Sequence, residues 1–151
     1  MKDLSIIIPC FNEENNIYDI VNQLEIIITQ NRNLNIEFIL VNNGSSDETL
    51  ERLNQLNKNN NFKVINLKKN LGYGGGILAG VNEANSSIIA WTHGDLQCDL
   101  NDVVKLYKKY KDKLVSSKCL IKGTRVNRRF FDALFSRSMA ILTSILFAKK
   151  F

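Results

Sequence analysis

The sequence holds a single proline, Pro9, and three cysteines, Cys10, Cys98 and Cys119. With so little proline there is no Pro-rich linker on which to divide the chain. Cysteines that are odd in number, far apart and without a C-x-x-C pair argue against a disulfide framework and against a structural zinc site; free thiols in a reducing compartment account for them. Long apolar runs are missing too. No window of the 151 residues is apolar enough to span a bilayer. The apolar run at 4–8, preceded by Lys2 and Asp3, is too short for the core of a signal peptide. A cytoplasmic protein is the expectation. There is no internal repeat, and no low-complexity tract beyond a Lys/Asn-rich stretch at 57–61.

Acidic residues are scarce at one end. Residues 1–104 carry 7 Lys/Arg and 13 Asp/Glu, whereas residues 105–151 carry 13 Lys/Arg and 2 Asp/Glu. A basic end nearly free of acids suits an anionic partner, such as a phosphate or a lipid headgroup, and suits a solvated helix face equally. Nucleic acid is the weaker match, because the basic residues lack interleaved aromatics for stacking on a sheet and no known motif is present. The composition is otherwise that of a globular domain, 44% apolar and 23% charged, and this length supports one core.

What is present is alternation. Short apolar, β-branched runs at 4–8 and 37–41 read as buried strands, and 62–67 and 87–91 as a third and a fourth strand. Helical spacing follows each of them. Asn12 is a plausible N-cap, with Glu13 and Glu14 in the first turn and Ile17, Ile20, Val21, Leu24 and Ile28 recurring on one face. A second helix starts at Ser46 and places Leu50, Leu53 and Leu56 together. A third is expected at 77–84 after a glycine-rich turn at 70–76, and a fourth at 99–110 with Asp99 as its cap. A fifth strand is expected at 114–121 and a further helix at 128–149. Such alternation implies βαβ units with right-handed crossovers: an α/β fold with a mainly parallel sheet and helices on both faces. Ligands of such sheets bind beyond the carboxyl ends of the strands, which singles out the loops at 9–13, 42–47, 70–76 and 92–99.

Those loops have particular content. The segments are SIIIPCFNEENNI at 5–17, VNNGSSDET at 41–49, NLGYGGGILAG at 70–80 and HGDLQCDLNDV at 93–103. The segment at 41–49 is similar to V-D-D-G-S-x-D-x-T, that at 70–80 to N-x-G-x-G-x-A-x-x-x-G, and that at 93–103 to D-x-D-L-Q-x-D-P. In this order and spacing they resemble glycosyltransferase family 2, nearest the dolichol-phosphate mannose synthase and polyprenyl-phosphate glycosyltransferase branch. The resemblance covers roughly residues 4–125. It implies a GT-A-like, Rossmann-like fold and an inverting transfer of a sugar from a nucleotide-diphosphate sugar, plausibly onto a polyprenyl phosphate. It also implies a nucleotide-sugar-binding domain at 1–126, followed by a basic, apolar helical segment at 127–151. Complete relatives continue past this point, so the chain reads as an N-terminal portion, inactive or poorly active alone. A non-catalytic nucleotide-sugar-binding fragment is the alternative function.

The expected site follows residue by residue. Pro9, Phe11, Asn12 and Glu13 match positions that cradle the nucleotide: an aromatic face stacks on a base and a carboxylate accepts from ribose hydroxyls. Phe11 also suits packing, and Glu13 the positive end of a helix. Asn43, where the family has aspartate, can accept a base N–H through its amide oxygen and can also donate. Uracil is preferred over guanine. Gly72 and Gly74 permit close backbone approach to a phosphate at a helix start. The glycine loop lacks GxxxxGK[ST], which excludes a P-loop, and it follows the third strand, which excludes the dinucleotide fingerprint.

His93, Asp95 and Gln97 alternate along a short stretch and, if it is extended, face one point. They are the expected ligands of a divalent ion, Mn²⁺ or Mg²⁺, with Asp95 the catalytic residue. Histidine in place of the family's first aspartate favours Mn²⁺; a hydrogen-bonded loop histidine fits as well. Arg125 ends a K-G-T-R stretch at 122–125, followed by Arg128 and Arg129, that resembles the K-G-S-R found near the acceptor phosphate, and forked guanidiniums suit that anion. The apolar residues from Phe130 to Phe147 suit a helix lying in the interface of an anionic membrane, at its inner face. They suit a core helix, or a self-associating one, as well.

Overall fold

The computed structural model describes residues 2–57 and 61–123. The chain divides into two compact units, Met1–Cys119 and Leu120–Phe151, and the architecture below is that of the first. The expected helix at 128–149, with Arg125, Arg128 and Arg129, lies outside the described residues.

Strand and helix alternate as the sequence implies: β1 (Leu4–Cys10), α1 (Ile17–Gln30), β2 (Ile36–Asn43), α2 (Thr49–Leu56), β3 (Lys63–Leu67), α3 (Gly72–Asn82), β4 (Ile89–Trp91) and α4 (Leu100–Ser116). The four strands form one parallel sheet in the order β3-β2-β1-β4. In register, Leu4 faces Ile36 and Cys10 faces Asn42 across β1 and β2, while Ser5 faces Ile89 across β1 and β4. Every residue of β1 is buried. That is why its sequence is a continuous apolar run instead of an alternation: both of its faces are covered.

The two faces are covered unequally. Leu4, Ile6, Ile8, Phe38 and Leu40 pack with Ile20, Leu24 and Ile27 of α1, Leu53 of α2, and Val104 and Tyr107 of α4. On the other face Ile7, Ile39 and Val41 meet Ala79 and Val81 of α3. That helix lies close to the sheet because of two glycines four residues apart on its inner face. A Cβ built on Gly80 would stand 2.4 Å from Ile7 Cγ2, and one on Gly76 would stand 3.1 Å from Pro9 Cβ.

Several expected boundaries move. The fifth strand at 114–121 is not a strand: α4 continues to Ser116, and 117–123 has no regular structure. Leu114 falls seven residues after Tyr107, on the face of α4 that packs against the core, so the apolar stripe is helical there. The Ser117 amide closes the last turn on the Lys113 carbonyl, 3.0 Å away. Helix α1 begins at Ile17, with Asn16 as its N-cap, not at Asn12. Asn12 instead takes φ +55° and turns the chain. Helix α2 begins at Thr49 rather than Ser46, while α3 begins at Gly72 and absorbs Gly74–Gly76, which the glycine-rich sequence had suggested as a turn. Asp99 does cap α4: its Oδ1 accepts from the Asn101 amide at 2.8 Å.

Candidate functional site

Parallel pairing brings the carboxyl ends of all four strands to one edge of the sheet, and the loops that leave them are tied together by side chains. Asn12 Oδ1 accepts from the Ser46 amide at 2.9 Å, and the Asn12 amide donates to Ser45 Oγ at 3.0 Å. The Glu13 amide donates to Thr49 Oγ1, and the Glu14 amide to Asp47 Oδ2. These four bonds clip the β1 loop to the β2 loop. Burial raises the Asp47 carboxyl, but hydrogen bonds from the Thr49 hydroxyl and amide and the Glu14 amide outweigh it and hold it below its ordinary range.

Asn43 fastens the next loop. It is 3% exposed at the end of β2. Its Nδ2 donates to Gly72 O at 2.9 Å and to Asn70 Oδ1 at 3.2 Å, and its Oδ1 accepts from the Leu71 amide at 3.1 Å. The amide expected to read a base thus has both donors and one acceptor lone pair engaged inside the protein. One lone pair on Oδ1 remains.

Between these loops lies a pocket of about 220 Å³. Pro9, Cys10, Phe11 and Glu13 form the β1 side, Asn43, Asn70, Gly72 and Tyr73 the opposite side, and His93, Gly94 and Asp95 the end of β4. Seven residues expected from the sequence therefore meet here: Pro9, Phe11, Glu13, Asn43, Gly72, His93 and Asp95. Asn12, Gly74 and Gln97 do not line the pocket. Asn12 is spent on the β2 loop, and a Cβ on Gly74 would meet nothing within 4 Å.

The stretch from His93 to Gln97 is not extended. Leu96 takes φ +57°, and Asp95 Oδ1 accepts from the Gln97 amide at 3.1 Å, so the chain reverses before Gln97 and the expected alternation of side chains does not hold. Among the described residues no three His, Cys, Asp or Glu side chains stand close enough to hold a metal ion by themselves. A divalent ion fits this donor set only in company with the ligand: one carboxylate, Asp95, plus diphosphate oxygens and water is a sufficient shell for Mg²⁺, and Mn²⁺ accepts the same oxygens.

Four pocket residues were not expected from the sequence: Cys10, Asn70, Tyr73 and Gly94. Cys10 is buried under Gly94, where an added Cβ would lie 3.2 Å from the sulfur. Burial, then the charge of Glu13, push its thiol up to about 12, so it is a neutral packing group and no nucleophile. Asn70 answers Asn43. Tyr73 stacks on His93, with ring centroids 4.7 Å apart and planes 7° from parallel. Burial, then the charge of Asp95, raise its phenol above the ordinary value. A tyrosine within a glycine run was the available signal, and the run reads as a turn until its helix is seen.

A larger, open hollow of about 760 Å³ lies on the other side of the β2 loop. Glu14, Asp47, Glu48 and Glu51 line it against one lysine, Lys68, which disfavours an anionic ligand. The smaller pocket has only Glu13 and Asp95 as carboxylates, and backbone amides at the start of α3 beside it. No helix of the described residues is long and apolar enough to cross a membrane.

Comparison with known proteins agrees with this fold. Over 139 residues the chain is 29% identical to the dodecaprenyl-phosphate galacturonate synthase of Rhizobium johnstonii, covering 91% of this chain and 39% of that protein. It superposes on Staphylococcus aureus TarS 1–349 in complex with UDP-GlcNAc with a TM-score of 0.62 and 26% identity, covering 85% of this chain and 36% of that one. The mannosyltransferase PcManGT of Pyrobaculum calidifontis, in complex with GDP-Man and Mn²⁺, shares the fold at a TM-score of 0.64 and 17% identity, covering 87% and 38%. The sheet is thus that of the GT-A glycosyltransferases. The chain spans about two fifths of the length of the curated relatives it matches. Glycosyl transferase family 2 matches residues 5–139, and the chain belongs to that family of glycosyltransferases.

Proposed function

We propose that this chain binds a nucleotide-diphosphate sugar, UDP-linked, in the pocket at the carboxyl ends of β1, β2 and β4, as the donor-binding part of an inverting transferase acting on polyprenyl phosphate. The observation that carries the reading is the convergence of Phe11, Glu13, Asn43, Gly72, His93 and Asp95 on one pocket. Phe11 is 45% exposed and offers a face to the base; Glu13 accepts from ribose hydroxyls. Asn43 offers the remaining lone pair of its amide oxygen to a base N–H and keeps the 70–72 loop in place. Gly72, at φ +73°, lets the start of α3 turn its amides toward phosphate.

Asp95 is the residue we assign to catalysis. Its carboxylate would hold a divalent ion brought in with the diphosphate, with His93 beside it. When bound, that ion neutralises charge on the leaving diphosphate. Gln97 and Asn12 act at one remove, by shaping the loops; Gly74 keeps the first turn of α3 open to solvent. Arg125, Arg128 and Arg129 are assigned to the acceptor phosphate, and the segment that carries them to the surface of an anionic membrane. The relative named for dodecaprenyl phosphate supports that acceptor class. TarS with UDP-GlcNAc supports uridine.

The test is calorimetry of UDP with and without Mn²⁺. Tighter binding with the ion, lost in Asp95→Ala, is expected. Equal affinity in excess chelator would remove the metal from the proposal, and no binding under either condition would remove the nucleotide.

A further inference from the structure

β3 and β4 are the two outer strands of the sheet, so the loops that leave them share no strand pairing. They meet nonetheless across the pocket. Tyr73, the second residue of α3, lies parallel on His93, just after β4, with 4.7 Å between ring centroids and 7° between planes. Both rings are exposed, and both line the pocket with Asp95. Among the described residues, this stack is the contact that orients the imidazole. Its ring nitrogens are left for something that enters the pocket.

We propose that Tyr73 is a positioning residue: it holds the His93 imidazole so that a ring N–H donates to a diphosphate oxygen of the nucleotide. The assignment rests on the nucleotide reading of this pocket. A ring N–H donating to an anionic oxygen is a charge-assisted bond, stronger than a neutral pair. An exposed histidine side chain otherwise samples several rotamers and must be ordered when ligand binds. Flat stacking restricts those rotamers beforehand, and offset aromatic pairs are favourable in themselves. The phenol hydroxyl is not needed for this role, which separates it from a residue that binds ligand directly.

The chain has one histidine, so its imidazole proton signals are unambiguous in NMR. In the ligand-free protein these ring protons are expected upfield of an unstacked histidine, with the shift lost in Tyr73→Ala and kept in Tyr73→Phe. Calorimetry in chelator then reads the hydrogen bond. Loss of a bond to a charged group weakens binding by roughly tenfold. His93→Ala and Tyr73→Ala should each weaken UDP by about that factor, the double variant no further than His93→Ala, and Tyr73→Phe should stay within about twofold. Uridine, which has no diphosphate, should bind all variants alike.

The assignment is overturned if the ring protons do not move in Tyr73→Ala, if UDP affinity is unchanged in that variant, or if the two losses add. Equal weakening of uridine would overturn it too, by showing a general collapse of the pocket. If the unaltered chain binds neither UDP nor uridine, the nucleotide reading falls and takes this assignment with it. UDP binding that survives both substitutions sinks this assignment alone.

Discussion

Asn43 shows how one buried amide carries a site. Its three hydrogen bonds all go to residues 70–72, and truncation would leave the Gly72 carbonyl and the Leu71 amide without that partner. Asn43→Ala is expected to cost about 1–3 kcal/mol in urea denaturation and to weaken UDP, because the loop that borders the pocket is released. Unchanged stability would mean that water replaces the amide without loss. The position was legible in the sequence from its place after a strand; the bracket was not, because its partners lie 27 to 29 residues on and only the fold brings them near. Asn12 failed for a related reason. A polar residue before acids and a periodic apolar run has the signature of an N-cap, yet its side chain accepts from Ser46 on another loop. His93 and Asp95 were legible as neighbours in one loop, but the reversal at Leu96 was not, since φ > 0 is unexpected for a leucine.

Helix α3 is the element on which the site depends most. Its glycines divide by what surrounds them. Gly80 faces Ile7 with no room for a methyl group, and Ile7 is fully buried, with a β-branched side chain that cannot swing aside. Gly80→Ala is expected to destabilise by about 1–3 kcal/mol. Gly74→Ala, in open space on the same helix, should be neutral or stabilise by up to about 1 kcal/mol through helix propensity. Thermal melts of the two variants decide this; equal effects would mean that α3 is not seated on the sheet by its small residues. Strands β1 and β2 were legible because buried parallel strands are plain apolar runs, whereas the edge strand β3 exposes Lys63 and Asn66 and was legible only from Val64, Ile65 and Leu67. The end of α4 was not: the segment from Leu114 to Ile121 has too few apolar residues to separate a strand from the last turn of an amphipathic helix.

At the scale of the molecule, two carboxyls among the described residues contribute to the response to acid. Burial raises Glu37, but hydrogen bonds from Ser5 and from the Asn85 amide and side chain, with the charge of Lys2, bring it below its ordinary value. Asp47 is lowered in the same manner. A carboxyl depressed in the folded state contributes stability above its unfolded pKa, about 4, and that contribution is lost as pH falls through the folded value. The melting temperature should therefore drop as pH is lowered below about 4, and a Glu37→Gln/Asp47→Asn double variant should be less stable at neutral pH with a flatter acid slope. The basic end gives a separate expectation: sedimentation with anionic vesicles that weakens with salt and falls on changing Arg125, Arg128 and Arg129 to Gln. Binding unaffected by either change would remove the electrostatic anchor.

The proposed nucleotide pocket is tested most directly by following backbone amide signals while UDP and Mg²⁺ are titrated into the whole chain. Shifts centred on Phe11, Glu13, Asn43, Gly72, His93 and Asp95 are expected, with the amides along the acid-lined hollow, such as Glu51 and Asn54, left in place. Shifts centred on that hollow, or no shifts at saturating nucleotide, would contradict a nucleotide-sugar site at the carboxyl ends of these strands.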